Sequence, residues 1–140
     1  MMSAAQELAV QCAATMWKND PASQGLGMEI LDIAPGRAKI SMMITKDMVN
    51  GHGSAHGGFI YTLADSAFAF ACNSYNERAV AAHCSISYLK PGKMGKQLIA
   101  HAKEVSRIGR SGIYDVEIEQ EEEIIAYFRG HSRLIGGTVF

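Results

Sequence analysis

The chain has 140 residues, 48% of them hydrophobic and 19% charged, with a formal net charge of −1. Such a chain fits one domain across residues 1–140 with a sizeable core, and the charge excludes a nucleic-acid binder that relies on a broad basic surface. Three cysteines, Cys12, Cys72 and Cys84, form no CxxC pair, so they read as small buried hydrophobes in a reduced, cytoplasmic protein.

Ser3 and Gln6 have the spacing of a capping box, which predicts a helix from about Ala4 to Trp17, stopped by Asn19-Asp20-Pro21. A weak strand is expected over Met28 to Ala34, with Pro35-Gly36 turning the chain. Ala38, Ile40, Met42 and Ile44 then alternate with Arg37, Lys39, Ser41 and Met43, the period of a strand. A long helix follows from about His56 to Ser74 and is apolar nearly all round. It therefore needs burial on most sides. Its small residues and its Asp65 and Asn73 make it a core helix and not a membrane span.

Four more strands complete the chain. In the first, Val80, Ala82, Cys84, Ile86 and Tyr88 alternate with smaller or polar residues, and Lys90-Pro91-Gly92 ends it. The second covers Gln97 to Ile108. The third carries the alternation Tyr114, Val116, Ile118, and the last runs from Ile124 to Arg133 after the acidic turn Glu121 to Glu123. Short turns between neighbours favour an antiparallel sheet, and a helix without a charged face has to be wrapped by it.

One residue stands apart. From Met48 to Tyr75, Asp65 is the only Asp, Glu, Lys or Arg. Burying a carboxylate without a partner costs several kcal/mol, so a chain that keeps one commonly uses it. Ahead of it lies a glycine- and histidine-rich turn, and N–H groups at a helix start can stabilise charge that develops on an attacked carbonyl oxygen. Gly57 and Gly58 leave room for close approach. Asp65 is about 12 Å from Gly57 along their common helix, too far for both to act on one carbonyl, so a site using both takes them from two subunits. His52 and His56 have an i, i+4 spacing but no third ligand, and no metal is expected. His83 and Ser85, on the strand after the helix, are candidates to face the site. No nucleophile elbow, P-loop or dinucleotide fingerprint occurs.

The spaced set Asn50-Gly51-His52, His56-Gly57-Gly58, Leu63-Ala64-Asp65 and Ala71-Cys72-Asn73-Ser74 resembles the PaaI-type acyl-CoA thioesterases of the hotdog-fold superfamily. Tyr88-Leu89-Lys90-Pro91-Gly92, Gly112-Ile113-Tyr114-Asp115-Val116 and Phe128-Arg129-Gly130 extend that resemblance over nearly the whole chain. It implies an α+β hotdog fold: a long central helix wrapped by an antiparallel sheet of five to six strands, here with an extra N-terminal helix. It implies hydrolysis of aryl acyl-CoA thioesters of phenylacetyl type, without a cofactor, in a homodimer or homotetramer with sites at subunit interfaces. By position, Asp65 is then the general base or nucleophile, Gly57 offers its N–H to the thioester oxygen, and Asn50 of the facing subunit orients water or acyl group. His56 positions the helix start. Gly58, Tyr61, Thr62 and Phe68 are expected to line the substrate, and Lys90 and Arg110 to meet the phosphates of coenzyme A. Two other readings stay open: an acyl-CoA-binding regulator without turnover, and an enoyl-CoA dehydratase on the same fold, for which no Asp/His pair is evident.

Overall fold

The computed structural model describes residues 1–140. Helix α1, Ala4–Lys18, starts where Ser3 accepts the Gln6 N–H on its side-chain oxygen. The chain does not simply stop at Asp20-Pro21. Asp20 caps a second, short helix, α2, Pro21–Gly25, with proline in its first turn. Proline suits that position, because its fixed φ is helical and its missing N–H is not needed there.

Six strands follow: β1, Glu29–Ala34; β2, Arg37–Met43; β3, Ala79–Tyr88; β4, Gln97–Ile108; β5, Ser111–Gln120; and β6, Glu123–Leu134. The long helix α3, Gly57–Cys72, lies between β2 and β3 in the chain. The strands form one sheet in the order β1-β2-β4-β5-β6-β3, and every neighbouring pair is antiparallel. This is the hotdog arrangement. The chain leaves β2 near one edge, crosses through α3 and enters the sheet again at the other edge as β3.

Period-two alternation puts one face of the sheet against α3. Ala38, Ala102, Val116 and Phe128 stand in register across β2, β4, β5 and β6, and all are buried. Small residues make the seat for the helix. Phe68 of α3 lies over Gly130, where a Cβ would come within 2.7 Å of its ring, and packs against Tyr114 and Phe128 at 5.8 Å between ring centroids. Asn73 ends α3 and ties it to β3: its amide donates to Ala69 O and Ala79 O, and its oxygen accepts the Ala79 N–H.

Strand β3 departs from simple alternation. Its register against β6 shifts between Ala81 and His83, leaving Ala82 as an extra residue. Such a bulge moves the later side chains to the other face relative to the earlier ones. Val80 is consequently exposed, while Cys84 and Ile86 pack against the core. No helix is long and apolar enough to cross a membrane.

Candidate active site

The turn before α3 is a small self-contained structure. Asn50 Oδ1 accepts the His52 N–H at 2.9 Å and the Ser54 N–H at 3.3 Å, and Gly53 turns the chain with φ of 81°. The strand-like bridge Val49–Ala55 closes the loop, and the His56 N–H donates to Met48 O at 2.7 Å. Asn50 therefore moves with the start of α3. Its carbonyl oxygen is committed to the loop, and its amide N–H groups are left free.

Four backbone groups of Gly57 and Gly58 form the start of α3, and side chains hold three of them. His56 is the N-cap, and its Nδ1 accepts the Gly58 N–H at 2.9 Å. The Thr62 hydroxyl donates to Gly58 O at 2.8 Å. The Tyr88 hydroxyl donates to Gly57 O at 2.9 Å. Only the Gly57 N–H has no partner. It stands at the positive end of the helix dipole, where an oxygen gaining negative charge is stabilised.

Asp65 is two turns further along the same helix stripe, with Tyr61 between them at i, i+4 spacing. Its carboxylate is half-buried, and desolvation alone pushes its pKa above the usual value, with no hydrogen bond or cation to oppose it. Tyr61 meets Phe128 edge-on at 5.4 Å. Burial, then hydrogen bonding to Cys84, pushes the Tyr61 phenol up to about 12. Asp65, Tyr61, Cys84 and the free Gly57 N–H thus share the strip between α3 and the edge strand β3.

Other expected residues lie elsewhere. Phe68 is core: it is 1% exposed between Tyr114, Phe128 and Gly130 and offers no surface to a substrate. After the bulge, His83 and Ser85 point away from α3: His83 meets His131 edge-on at 5.6 Å, and Ser85 helps line a hollow of about 570 Å³ on the outer sheet face. Neither that hollow nor a second of about 370 Å³ is lined by Asp65, Gly57 or Asn50. Lys90 lies beyond the Tyr88 end of β3, whereas Arg110 accepts the Leu134 N–H on its carbonyl at the Ala79 end. The two ends of this ten-residue strand are about 30 Å apart, so one nucleotide cannot touch both within one chain. Lys90 also pairs with Glu123 at 2.7 Å and Lys93 with Glu121 at 3.2 Å, exposed ion pairs that tie the acidic turn to the loop after β3. The His52/His56 pair holds no metal geometry, because His56 Nδ1 is already an acceptor, and no group of three ligating side chains exists.

Tyr88 joins this candidate site through a contact that the sequence does not announce. In the sequence it reads as a strand residue and as part of the Tyr88-Leu89-Lys90-Pro91-Gly92 motif, and its partner Gly57 is 31 positions away.

The family model described as "Thioesterase superfamily" matches residues 52–126, the turn, α3 and the strands through the start of β6. The acyl-coenzyme A thioesterase PaaI of Escherichia coli is 44% identical over 130 residues, covering 92% of this chain and 93% of that protein. The chain belongs to the thioesterase superfamily. The solved structure of the E. coli PaaI protein superposes on this thioesterase with a TM-score of 0.93, at 42% identity over 95% of this chain and 97% of that one. A hypothetical thioesterase from Streptococcus pneumoniae, solved with coenzyme A, gives a TM-score of 0.76 at 25% identity, over 79% of this chain and 90% of that one. This thioesterase is thus an enzyme of the PaaI type on a hotdog fold.

Proposed function

We propose that this enzyme hydrolyses aryl acyl-CoA thioesters of phenylacetyl type, ring-hydroxylated ones included, to the free acid and coenzyme A. The observation that carries the reading is one helix stripe with an unpartnered, half-buried carboxylate at Asp65 and an unpartnered N–H at Gly57. The two groups supply what thioester hydrolysis needs: a base or nucleophile, and a donor for the developing oxyanion. The phenylacetic acid operon named for the E. coli relative, and the Tyr61–Phe128 aromatic wall, support the aryl group. The Tyr61 hydroxyl suits a substrate that carries a ring hydroxyl.

Asp65 acts, directly or through a water that it deprotonates, on the carbonyl carbon of a thioester whose oxygen accepts the Gly57 N–H of the facing subunit. The Asn50 amide from that same facing subunit orients the water or the acyl group. Two chains are needed because the groups of one chain are about 12 Å apart along α3. The working form is a homodimer, and two such dimers make a homotetramer. Strand β3 is suited to the contact. It is a bare edge of ten residues, Ala79–Tyr88, without a Lys, Arg, Asp, Glu or Pro to deter pairing. Lys90 draws the phosphates of coenzyme A in exchange for its exposed pair with Glu123.

The test is a panel of acyl-CoAs scored for free thiol with wild type and Asp65→Asn. Fastest turnover of aryl acetyl thioesters, and a loss of about 10²- to 10⁴-fold in kcat for the variant, are expected. Binding of acyl-CoA without any turnover would instead indicate the regulator. Attack by Asp65 itself would expel coenzyme A thiolate and leave a mixed anhydride on the protein, so a rapid-quench burst of free thiol ahead of free acid marks the nucleophile, and release of the two together marks the general base.

A further inference from the structure

The first turn of α3 begins with two glycines, the residues that lose most freedom on ordering and have no side chain to pin them. Helix ends fray, and a donor that must meet an oxyanion within a few tenths of an ångström cannot rest on a frayed turn. The structure answers this with three side chains. Two are local: His56 holds the Gly58 N–H, and Thr62 holds the Gly58 carbonyl, both from within the helix and its cap. Neither can fix the turn relative to the rest of the molecule.

The third is Tyr88, at the end of β3, 31 residues away. Its hydroxyl donates to Gly57 O at 2.9 Å. Its ring lies so close to Gly57 that a Cβ there would meet Tyr88 Cζ and its hydroxyl oxygen at 3.0 Å each. We propose that Tyr88 is the positioning residue of the oxyanion donor: it anchors the Gly57–Gly58 turn to the sheet, so that the one free N–H keeps its aim. Position 57 is glycine because of this phenol as much as because of the substrate. The role rests on the reading that the Gly57 N–H receives the thioester oxygen.

Two measurements test it. The first is Tyr88→Phe, which keeps the ring and removes the hydroxyl. Its kcat falls about three- to ten-fold, the effect one hydrogen bond supports, while KM moves less than about two-fold. Amide hydrogen exchange at residues 57–60 speeds up in the same variant. An unchanged kcat, or a fall in the unfolding temperature with kcat intact, overturns the positioning role. The second is a thermal double-mutant cycle of Gly57→Ala in wild-type and Tyr88→Ala backgrounds. The added methyl lowers the unfolding temperature in the first background and less in the second. Equal losses in both would mean that the ring does not police position 57. The cycle needs no substrate, so it stands even if no acyl-CoA is turned over. A wild-type enzyme inert toward the whole panel would sink the thioester reading and not the contact.

Discussion

The division of the site between two chains can be tested by mixing two inactive proteins. One thioester carbonyl spans about 7 Å at most between a donor on its oxygen and a group attacking its carbon, roughly 3 Å on each side. Gly57 and Asp65 are eight residues apart in α3, about 12 Å along the axis. Asn50 belongs to the Gly57 end, because its loop is fastened to the start of the helix by the His56 N–H bond to Met48 O. Asn50 and Asp65 lesions therefore fall in different halves of each site. Asn50→Asp keeps an oxygen that accepts the His52 and Ser54 N–H groups and replaces the free amide donors with a charged acceptor. Asp65→Ala removes the carboxylate. Each homodimer is expected to be nearly inactive. Unfolded and refolded together in equal amounts, half of the dimers are mixed, and each mixed dimer holds one site with both lesions and one with neither. Half the dimers with one of two sites restored give about a quarter of wild-type activity. A mass tag on one parent verifies the exchange. Activity no greater than that of the parents, with exchange verified, would refute the geometry, since it would put Asn50 and Asp65 in one subunit's site.

Other outcomes follow from single side chains. Asp65→Asn should unfold at a higher temperature than wild type at neutral pH, because desolvation holds the Asp65 pKa above its unfolded value and the ionised form opposes folding. That gain should shrink as pH falls through the folded pKa toward about 3.9, where the carboxyl is protonated in the fold, and a difference independent of pH would contradict it. The acid limb of kcat/KM should likewise lie above the ordinary range for Asp, measured with Asp65→Asn as the blank. Phe68→Ala should cost about 3–5 kcal/mol in denaturant unfolding, as core rings do, and a stable variant with raised KM for aryl substrates would restore Phe68 to the substrate pocket. Lys90→Ala should raise KM for acyl-CoA but not for an acyl-pantetheine thioester, and equal losses on both would remove Lys90 from nucleotide binding.

The fold was legible because its long elements repeat their pattern without interruption. Ala38, Ile40 and Met42 turn one way along β2, and α3 has no charged face to leave uncovered. Asp65 stood out because nothing charged surrounds it in sequence. Three things were not legible, each for a physical reason. Asp20-Pro21 serves equally as a stop and as the cap and first turn of α2. The bulge at Ala82 changes which face His83 and Ser85 occupy, and alternation gives a period but no face. The ties of Tyr88 to Gly57, of Lys90 to Glu123 and of Phe68 to Gly130 cross distances in sequence that only the closed sheet brings together.

Strand β3 has a consequence for the life of the chain before it reaches its working form. Its unpaired N–H and C=O groups template any extended segment they meet, and the edge has no charge or proline to turn strangers away. On the proposed pairing of two subunits through this edge, a newly made chain is exposed for as long as it waits for another. That wait is a second-order process and lengthens as subunits become scarce. On that same proposal, slow production favours mispairing with other unfinished chains, and dilution of the paired enzyme reopens the edge. The yield of soluble protein should accordingly depend on how quickly subunits find one another, even in variants whose own fold is untouched.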